Sequence, residues 1–292
     1  MQHLDFLTTK ELLQVCKKHN ITIAKATIIK SCNDENLTEK QLIERMEERI
    51  EISRNAISDG LKNTKRTKSG LSGGDAKRLD KYESENNLIS KALFKAIKYS
   101  FSITEQNARF KRIVALPTAG SSGTVPGALI AAQEELGKTE EELINAFFSA
   151  GAVGLITAEN ASISGAAGGC QAEVGTASAM AAAALTEMRG GSPEQAMNAA
   201  SIALKGLLGL VCDPIAGLVE CPCVKRNATG IANAFMASEI SLANVKSNVD
   251  YDEVLVAMNN VSKHMATELR ETAKGGLAIT KTGKKVAKLM ED

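Results

Sequence analysis

An alanine-rich stretch from Gln171 to Met188 limits what this chain can fold into more than any other feature. Alanine favours helices, and the small side chains of Thr176 and Ser178 would let another helix approach closely. The core must be built from small and aliphatic residues, because 44% of the chain is hydrophobic but only 3% is aromatic and none is Trp. No stretch of useful length alternates apolar and polar residues as a half-buried strand would. We therefore predict an all-α fold of closely packed, Ala/Gly-rich helices with Gly-rich loops between them.

Helix-start signals divide the rest of the chain. Capping boxes begin at Thr38, Thr139 and Ser192, each with Glu or Gln three residues later. With the apolar spacing, they predict helices at 9–19, 24–31, 38–62, 88–99, 139–155, 171–188, 192–210, 228–242 and 252–274. Residues 112–116 fit either a short strand or a helix end. Residues 1–62 form an N-terminal helical segment that we expect to pack on the remainder, 63–292, and the two can make one continuous domain.

The balance of charge argues against two classes of partner. The chain has 35 basic and 34 acidic residues, a formal net charge of +1, which offers no electrostatic attraction for nucleic acid or an anionic membrane. The N-terminus lacks the basic and apolar regions of a signal peptide, and the uncharged run 143–158 is too short to span a bilayer. We expect a cytoplasmic protein whose six cysteines stay reduced.

Cysteines in Gly- and Pro-rich turns beside predicted helices are the strongest candidates for chemistry. They are Cys170, Cys212, Cys221 and Cys223. Their spacing is unlike the short CxxC pairs of zinc ribbons, so thiolates from distant turns indicate a metal or iron–sulfur centre. Buried, inert thiols are an equally weighted alternative, and zinc is the second metal to consider. Cys16 and Cys32 lie in the N-terminal segment, where we expect packed bystanders.

Two loops rich in glycine and hydroxyl side chains precede predicted helices. Residues 63–75 are basic and end on Asp75, and a solvated linker with Asp75 as helix cap is one interpretation. Residues 117–127 place glycines and hydroxyls ahead of an apolar helix, which makes an anion-binding nest. The Gly-Lys-Ser/Thr ending of a phosphate loop is missing. A small carboxylate fits this second loop as well as a phosphate does.

Five segments in a row, spanning about 69–241, read SGLSGGD, PTAGSSGTVPG, NASISGAAGGCQAEVGTASAMAAA, VCDPIAGLVE and PCVKRN. In this order they resemble the α chain of the two-subunit, iron–sulfur-dependent L-serine dehydratases. The resemblance implies a [4Fe–4S] cluster on Cys170, Cys212 and Cys223, with one iron left open for substrate. Cys221 replaces an aliphatic residue of the family, so it is expected to be a neighbour and not a ligand. Residues 63–292 would then form the helical iron–sulfur catalytic domain.

The resemblance also implies an activity and a set of substrate contacts. The family is an L-serine ammonia-lyase that gives pyruvate and ammonia, in which the open iron acts as a Lewis acid on the hydroxyl. No pyridoxal phosphate is expected, because no sequence motif indicates a lysine that would form a Schiff base with it. The implied substrate contacts are Ser69, Ser72, Thr118, Ser121, Ser122, Gly123, Arg226 and Asn227. For Arg226, a salt bridge or helix cap is an equally weighted interpretation.

No residue of the sequence stands out as a general base. Histidine is the commonest such residue, but His3, His19 and His264 match no family motif, and His264 reads as a surface or half-buried imidazole. We therefore expect a separate β chain to complete the site for L-serine. The alternatives are a related cluster-dependent lyase acting on cysteine or another hydroxy acid, and a non-catalytic metal-binding module. Closure of the site by Cys221 as a fourth ligand would favour the module.

Overall fold

Thirteen α-helices make up most of residues 4–291, the part of the chain that the computed structural model describes. They are α1 (Thr9–His19), α2 (Ile23–Glu35), α3 (Glu39–Lys62), α4 (Asp75–Tyr82), α5 (Lys91–Ala108), α6 (Thr124–Leu136), α7 (Glu140–Asn160), α8 (Gly165–Gly168), α9 (Thr176–Met188), α10 (Pro193–Lys205), α11 (Cys223–Leu242), α12 (Tyr251–His264) and α13 (Lys281–Glu291). A π-helical turn covers Gln171–Gly175, and 3₁₀ turns cover Ile215–Gly217, Thr267–Leu269 and Gly276–Ile279. Within these residues no β-strand forms, and one isolated parallel bridge joins Cys212 to Arg270. The predicted all-α fold is confirmed.

Side-chain caps fix where several helices begin. The side chains of Thr38, Thr139 and Ser192 each accept a hydrogen bond from the backbone N–H three residues on. The Glu or Gln side chain at that position in turn accepts a hydrogen bond from the backbone N–H of the Thr or Ser. Thr8 forms a further capping box with Glu11 at the start of α1. These bonds satisfy N–H groups that have no partner inside the helix. The predicted starts of α3, α7 and α10 are therefore confirmed.

The alanine-rich helix α9 lies in the core, with nearly all of its residues buried. The helices α7, α10 and α11 pack against it. Small residues allow this close approach: a Cβ on Gly230 of α11 would lie only 2.9 Å from Val174, and Ser178 donates to the Gly230 carbonyl over 2.7 Å. A helix that is apolar on all sides has to be buried. The stretch thus forms the core helix that its composition predicts.

Buried side chains of the N-terminal helices belong to the same apolar core as those of the later helices. Leu12 of α1, Ile50 of α3 and Ala182 of α9 are members of one cluster. None of the helices within residues 4–291 combines the length and the apolar character that crossing a membrane requires.

The predicted helix over 252–274 is wrong in its second half, because the chain there pairs with a distant loop. The helix α12 ends at His264, and turns follow it. The Cys212 N–H donates to the Leu269 carbonyl over 2.8 Å, and the Glu271 N–H donates to the Cys212 carbonyl over 2.7 Å. Residues 112–116 form neither of the two predicted elements. The first of these departures places irregular backbone around Cys212.

The predicted helix over 171–188 begins with the π-helical turn that directly follows Cys170. Such widened turns are frequent at functional sites. Gln171, fully buried, stabilises the turn by donating to the Gly168 carbonyl over 3.0 Å and accepting from the Gly209 N–H over 2.8 Å. The side chain therefore connects the loop that carries Cys170 to the loop that leads to Cys212.

Candidate active site

Three buried cysteines come together where the loops around α9 and α11 meet. Cys170 precedes the π-helical turn, Cys212 lies in the bridge after α10, and Cys223 is the first residue of α11. Their exposed fractions are 2%, 3% and 9%. A negative charge on Cys170 would oppose ionisation of both Cys212 and Cys223. The three thiols therefore lie within electrostatic reach of one another.

Burial makes these thiols resist ionisation. It raises the pKa of Cys170 to about 12, and it also raises the pKa values of Cys212 and Cys223. The Arg226 guanidinium and the Val174 N–H act in the opposite direction on Cys170. A thiolate at Cys170 thus meets two donors, and a bound cationic group would favour the thiolate form of all three.

Gly165 marks the point where Cys212 meets two carboxylates. A Cβ at this position would lie 3.0 Å from Cys212 Sγ, 3.3 Å from Glu271 Oε2 and 3.4 Å from Glu173 Oε2. Burial raises the pKa of the Glu173 carboxyl, and the neighbouring Glu271 carboxylate adds to that rise. The glycine keeps open the space that these three side chains share.

Among residues 4–291, no three His, Cys, Asp or Glu side chains are arranged to hold a single metal ion. Tetrahedral zinc needs its ligand atoms about 2.0–2.3 Å from one centre. An iron–sulfur cluster distributes its thiolates over several irons. Three buried thiols from separate loops suit that donor requirement.

The remaining cysteines are placed differently. Cys16 and Cys32 pack in the main apolar core, as expected of bystanders. Cys221 is half-buried and precedes Pro222 in the turn before Cys223. Its carbonyl accepts a hydrogen bond from the Ile215 N–H over 2.9 Å. The fold thus groups the same three cysteines that the family resemblance implies, with Cys221 next to the third.

A buried glutamate connects the 63–75 loop to the turn before Cys223. Glu220 is 5% exposed. It accepts hydrogen bonds from the hydroxyls of Thr67 at 2.6 Å, Ser69 at 2.9 Å and Ser72 at 2.5 Å. No Lys or Arg of residues 4–291 forms an ion pair with Glu220. The carboxylate therefore fixes the hydroxyls of Ser69 and Ser72 in place.

The same loop ends at a helix start that Glu105 of α5 caps. The N–H groups of Gly74, Asp75 and Ala76 donate to its carboxylate over 2.9, 2.7 and 3.2 Å. Asp75 is the first residue of α4 and pairs with Arg66 at 2.9 Å. The alternative interpretation, with Asp75 as the cap, is wrong, because a buried carboxylate from another helix caps these N–H groups.

Asn227 holds the 117–123 loop against α11. Its amide group donates to the carbonyls of Gly120 at 2.7 Å and Cys223 at 2.9 Å. Its oxygen accepts from the Gly123 N–H at 3.1 Å and the Thr124 hydroxyl at 2.9 Å. Both amide hydrogens and both oxygen lone pairs are thereby used. Asn227 positions the loop relative to the third cysteine.

The 117–123 loop contains one buried hydroxyl group without a hydrogen-bond partner among the described residues. Thr118 donates to Glu173 and lies 3.0 Å from the Ser121 hydroxyl. The hydroxyl that lacks a partner within residues 4–291 is that of Ser122, which is fully buried. An unsatisfied buried hydroxyl costs free energy, and this one stands just before α6, where the helix dipole favours an anion. Ser122 is thus the residue of this loop best suited to contact a carboxylate.

Arg226 stabilises the loop that carries Cys212. Its Nη1 donates to the Val211 carbonyl over 2.7 Å and pairs with Asp213 Oδ1 at 2.8 Å. The paired side chains are 16% and 5% exposed, and the positive charge of the guanidinium acts to lower the pKa of the Cys170 thiol. The salt bridge considered from the sequence is present, and the same guanidinium faces one of the thiols.

The family model described as "Serine dehydratase alpha chain" matches residues 10–278 of this chain. The chain belongs to the serine dehydratase alpha chain family. A probable L-serine dehydratase alpha chain of Bacillus subtilis is 46% identical to it over 97% of this chain and 94% of that protein. The L-serine dehydratase alpha chain of Peptoniphilus asaccharolyticus is 42% identical over 96% of both chains. The family resemblance seen in the sequence is confirmed.

Longer relatives include a region that is similar to this chain. An L-serine dehydratase of Mycobacterium bovis is 36% identical over 94% of this chain, but the match covers 61% of that protein. One of Helicobacter pylori is 33% identical over 94% of this chain, with 62% of that protein covered. These relatives carry a substantial part outside the region shared with the serine dehydratase alpha chain.

Sequence reasoning missed the two carboxylates that hold the hydroxyl-rich loops of this family member. Glu220 bonds Ser72 across 148 residues, and Glu173 bonds Thr118 across 55. The one available signal is position, since Glu173 follows Cys170 by three residues and Glu220 precedes Cys223 by three. Spacing alone gives no reason to select them from among 34 acidic residues.

None of the site residues described above is a histidine. His264 is exposed at the end of α12, where its Nδ1 lies 2.8 Å from the Asn260 carbonyl oxygen. His19 is the last residue of α1, and His3 lies outside the described residues. The surface position of His264 agrees with its expected placement.

Proposed function

We propose that this chain is the α chain of an iron–sulfur-dependent L-serine dehydratase, which converts L-serine to pyruvate and ammonia. Family membership and the names of the relatives support the substrate and the reaction class. The observation that carries the proposal is the grouping of three buried thiols from three loops beside hydroxyl-rich loops. The enzyme would act in the cytoplasm.

Cys170, Cys212 and Cys223 would hold a [4Fe–4S] cluster as its three protein ligands. When bound, such a cluster with one open iron supplies a Lewis acid for the substrate's hydroxyl group. The Arg226 guanidinium and the Val174 N–H favour the thiolate at Cys170, and Gly165 leaves space beside Cys212. Cys221 would remain a neighbour, because a fourth thiolate would close the open position.

The substrate's carboxylate would bind at the start of α6. The unpartnered Ser122 hydroxyl and the helix dipole supply the attraction. Gly123, the substrate contact between them in sequence, lets this turn pack closely on α5, since a Cβ there would lie 2.7 Å from the Ser100 carbonyl oxygen. Asn227 would affect substrate binding indirectly, because its hydrogen bonds to Gly120 and Gly123 hold this loop in place.

The hydroxyls of four further residues would line the pocket for the amino acid. Glu220 orients Ser69 and Ser72 directly. Glu173 orients Thr118 directly and Ser121 through the Thr118 hydroxyl. A hydroxyl that donates to a carboxylate presents its lone pairs to a donor such as the substrate's ammonium group. Arg226 would act on this pocket through the loop of Cys212.

The elimination requires a proton acceptor at the α-carbon of L-serine. That proton leaves, the β-hydroxyl departs as water, and the resulting aminoacrylate tautomerises and hydrolyses to pyruvate and ammonia. We propose that a separate β chain supplies the acceptor. The parts of the longer relatives that lie outside the match are consistent with a second chain of that kind.

An anaerobic assay with and without the β chain of the same organism tests the proposed function. The iron-loaded α chain with the β chain should release pyruvate from L-serine, whereas the α chain alone should be poorly active. Threonine and cysteine, assayed in parallel, test the substrate. Pyruvate from cysteine but not from serine would contradict the substrate, and full serine turnover by the α chain alone would contradict the role of the β chain.

A further inference from the structure

The fold presents one aromatic ring to solvent in a strained conformation. Phe110 is 96% exposed and lies two residues past the end of α5. Its φ of 56° lies in the left-handed region, where a bulky residue is an outlier. The Phe110 N–H donates to the Asn107 carbonyl over 2.9 Å, and the Lys111 N–H donates to the Gln106 carbonyl over 3.0 Å. Such strain persists where surrounding structure imposes it, and it clusters at functional sites.

Basic residues flank Phe110 in the chain, and a hydrogen bond joins one of them to the basic 63–75 loop. Arg109 Nη1 donates to the Lys65 carbonyl over 3.3 Å, which brings the end of α5 against the 63–75 loop. We define the Phe110 surface as Phe110, its neighbour Arg109 and the exposed basic residues Lys65, Arg66, Lys68, Lys111 and Arg112.

Few acidic groups offset the charge of the Phe110 surface. Arg112 pairs with Glu48 at 2.9 Å, and Arg66 pairs with Asp75 at the same distance. Within residues 4–291, no acidic side chain forms an ion pair with the other basic residues of the surface. The surface is therefore strongly positive, although the whole chain has a formal net charge of only +1.

The Phe110 surface borders both loops of the proposed substrate site. Asn107 Nδ2 donates to the Ala119 carbonyl over 3.1 Å, which joins the end of α5 to the 117–123 loop. The 63–75 loop contributes Lys65 and Lys68 to the surface and Ser69 and Ser72 to the proposed pocket. A second chain that reaches the pocket to complete it would have to dock beside these loops.

We propose that the Phe110 surface is the docking site of the β chain, which meets it with an acidic face and an apolar pocket for the ring. Exposed aromatic and Arg side chains are the types that dominate binding energy at protein interfaces. A positive surface with few counter-charges fits an acidic partner and steers its approach. This inference rests on the proposed function, because only that function assigns a β chain.

Affinity measurements on the anaerobically prepared, iron-loaded α chain test the docking site. The dissociation constant for the β chain of the same organism is measured by titration calorimetry for the wild type, Phe110→Ala and Lys111→Glu. We expect Phe110→Ala to weaken binding about 30-fold, as loss of an aromatic anchor does. Lys111→Glu should slow association, and wild-type affinity should fall as salt rises. Iron content should not change.

A matched control lies just after the C-terminal end of α11, the helix that begins with Cys223. Val245 and Lys246 also form an exposed hydrophobic–lysine pair after a helix, next to the left-handed Asn244. The helix has 20 residues, so this pair lies about 30 Å from Cys223. Val245→Ala and Lys246→Glu should leave the affinity for the β chain unchanged.

The outcomes separate this inference from the proposed function. Unchanged affinity in Phe110→Ala and Lys111→Glu, with normal serine turnover by the mixed chains, overturns the docking site and leaves the proposed function standing. Failure of the wild type to bind the β chain overturns both. Tight binding of a single-stranded oligonucleotide that both substitutions abolish, with β-chain affinity unaffected, identifies a nucleic-acid surface instead and overturns the docking proposal.

Discussion

Glu220 shows how one buried side chain can organise a site whose parts are distant in sequence. The hydroxyl-rich loop at 63–75 stands out from its composition, but its acceptor lies 148 residues from Ser72. Local sequence signals report on neighbours a few positions away, so they cannot reveal such a contact. The same holds for Glu105, whose carboxylate caps the start of α4 in place of the Asp75 side chain that the linker interpretation gave as the cap.

Glu220→Gln should destabilise the protein and weaken substrate binding. The amide keeps one acceptor oxygen in place of two, so one of the hydroxyls of Ser69 and Ser72 loses its partner. We expect the free energy of unfolding to fall by about 2 kcal/mol and KM for L-serine to rise more than kcat falls. Urea denaturation and steady-state kinetics of the assembled enzyme measure both.

The control for this substitution is Glu159→Gln, which changes an exposed residue near the end of α7. It should leave both stability and KM unchanged. If Glu220→Gln behaved like this control, the carboxylate would not be what holds the loop.

At the scale of helices, the starts marked by a capping box were predictable, but other starts and several ends were not: the helix predicted from 228 begins at Cys223, and the one predicted over 88–99 covers Lys91–Ala108. The starts of α3, α7 and α10 depend on a Thr or Ser and a Glu or Gln three residues later, which is a local signal. The end of α12 at His264 is decided by the backbone pairing of Cys212 with 269–271, more than 50 residues away. The amphipathic pattern over 252–274 is overridden by that tertiary contact.

The start of α2 depends on a buried carboxylate and should give the protein a distinctive pH dependence. Glu187 of α9 accepts the N–H groups of Ile23 at 2.7 Å and Ala24 at 3.2 Å, and it also bonds Ser149. Burial raises the pKa of this carboxyl above its usual value, although these hydrogen bonds act against the rise. The folded chain thus holds the proton to higher pH than the unfolded chain does.

The sign of the effect follows from proton linkage. The stabilisation from protonated Glu187 is fully present below about pH 4.3, the usual Glu pKa, and it is lost as pH rises through the raised folded value. The difference in unfolding free energy between wild type and Glu187→Gln should therefore decline as pH rises from about 4 to 8. Urea denaturation across this range measures it. A difference that grew with pH would mean that the folded state favours the carboxylate.

A larger side chain on the buried helix α9 should destabilise the protein. Ala182 is fully buried, and α7, α10 and α11 surround its helix. Ala182→Leu should lower the free energy of unfolding by about 3 kcal/mol, because the added methylene and methyl groups have no space. Ala257→Leu, on an exposed position of α12, is the matched control and should have little effect, since both residues favour helices. Thermal or urea denaturation compares them, and equal losses would argue against close packing around α9.

Across the whole molecule, sequence patterns predicted the class of fold, whereas the assignment of the site residues stays a prediction. The lack of alternating segments and the alanine-rich stretch indicate helices throughout, and the motif order indicates which three cysteines belong together. The carboxylates Glu173 and Glu220 could not be predicted, because each is identified only by a long-range bond to a hydroxyl. The Phe110 surface depends on a left-handed backbone conformation that its residue types do not suggest.

The central claim for the whole molecule is that three thiols hold one [4Fe–4S] cluster. Iron and acid-labile sulfide per α chain, measured after anaerobic reconstitution together with the visible spectrum, test it most directly. Wild type and the control Cys221→Ala should each bind about four iron and four sulfide per chain. Cys170→Ala, Cys212→Ala and Cys223→Ala should each lose the brown chromophore and the iron. A full complement of iron in any of those three variants, or its loss in Cys221→Ala alone, would contradict the account.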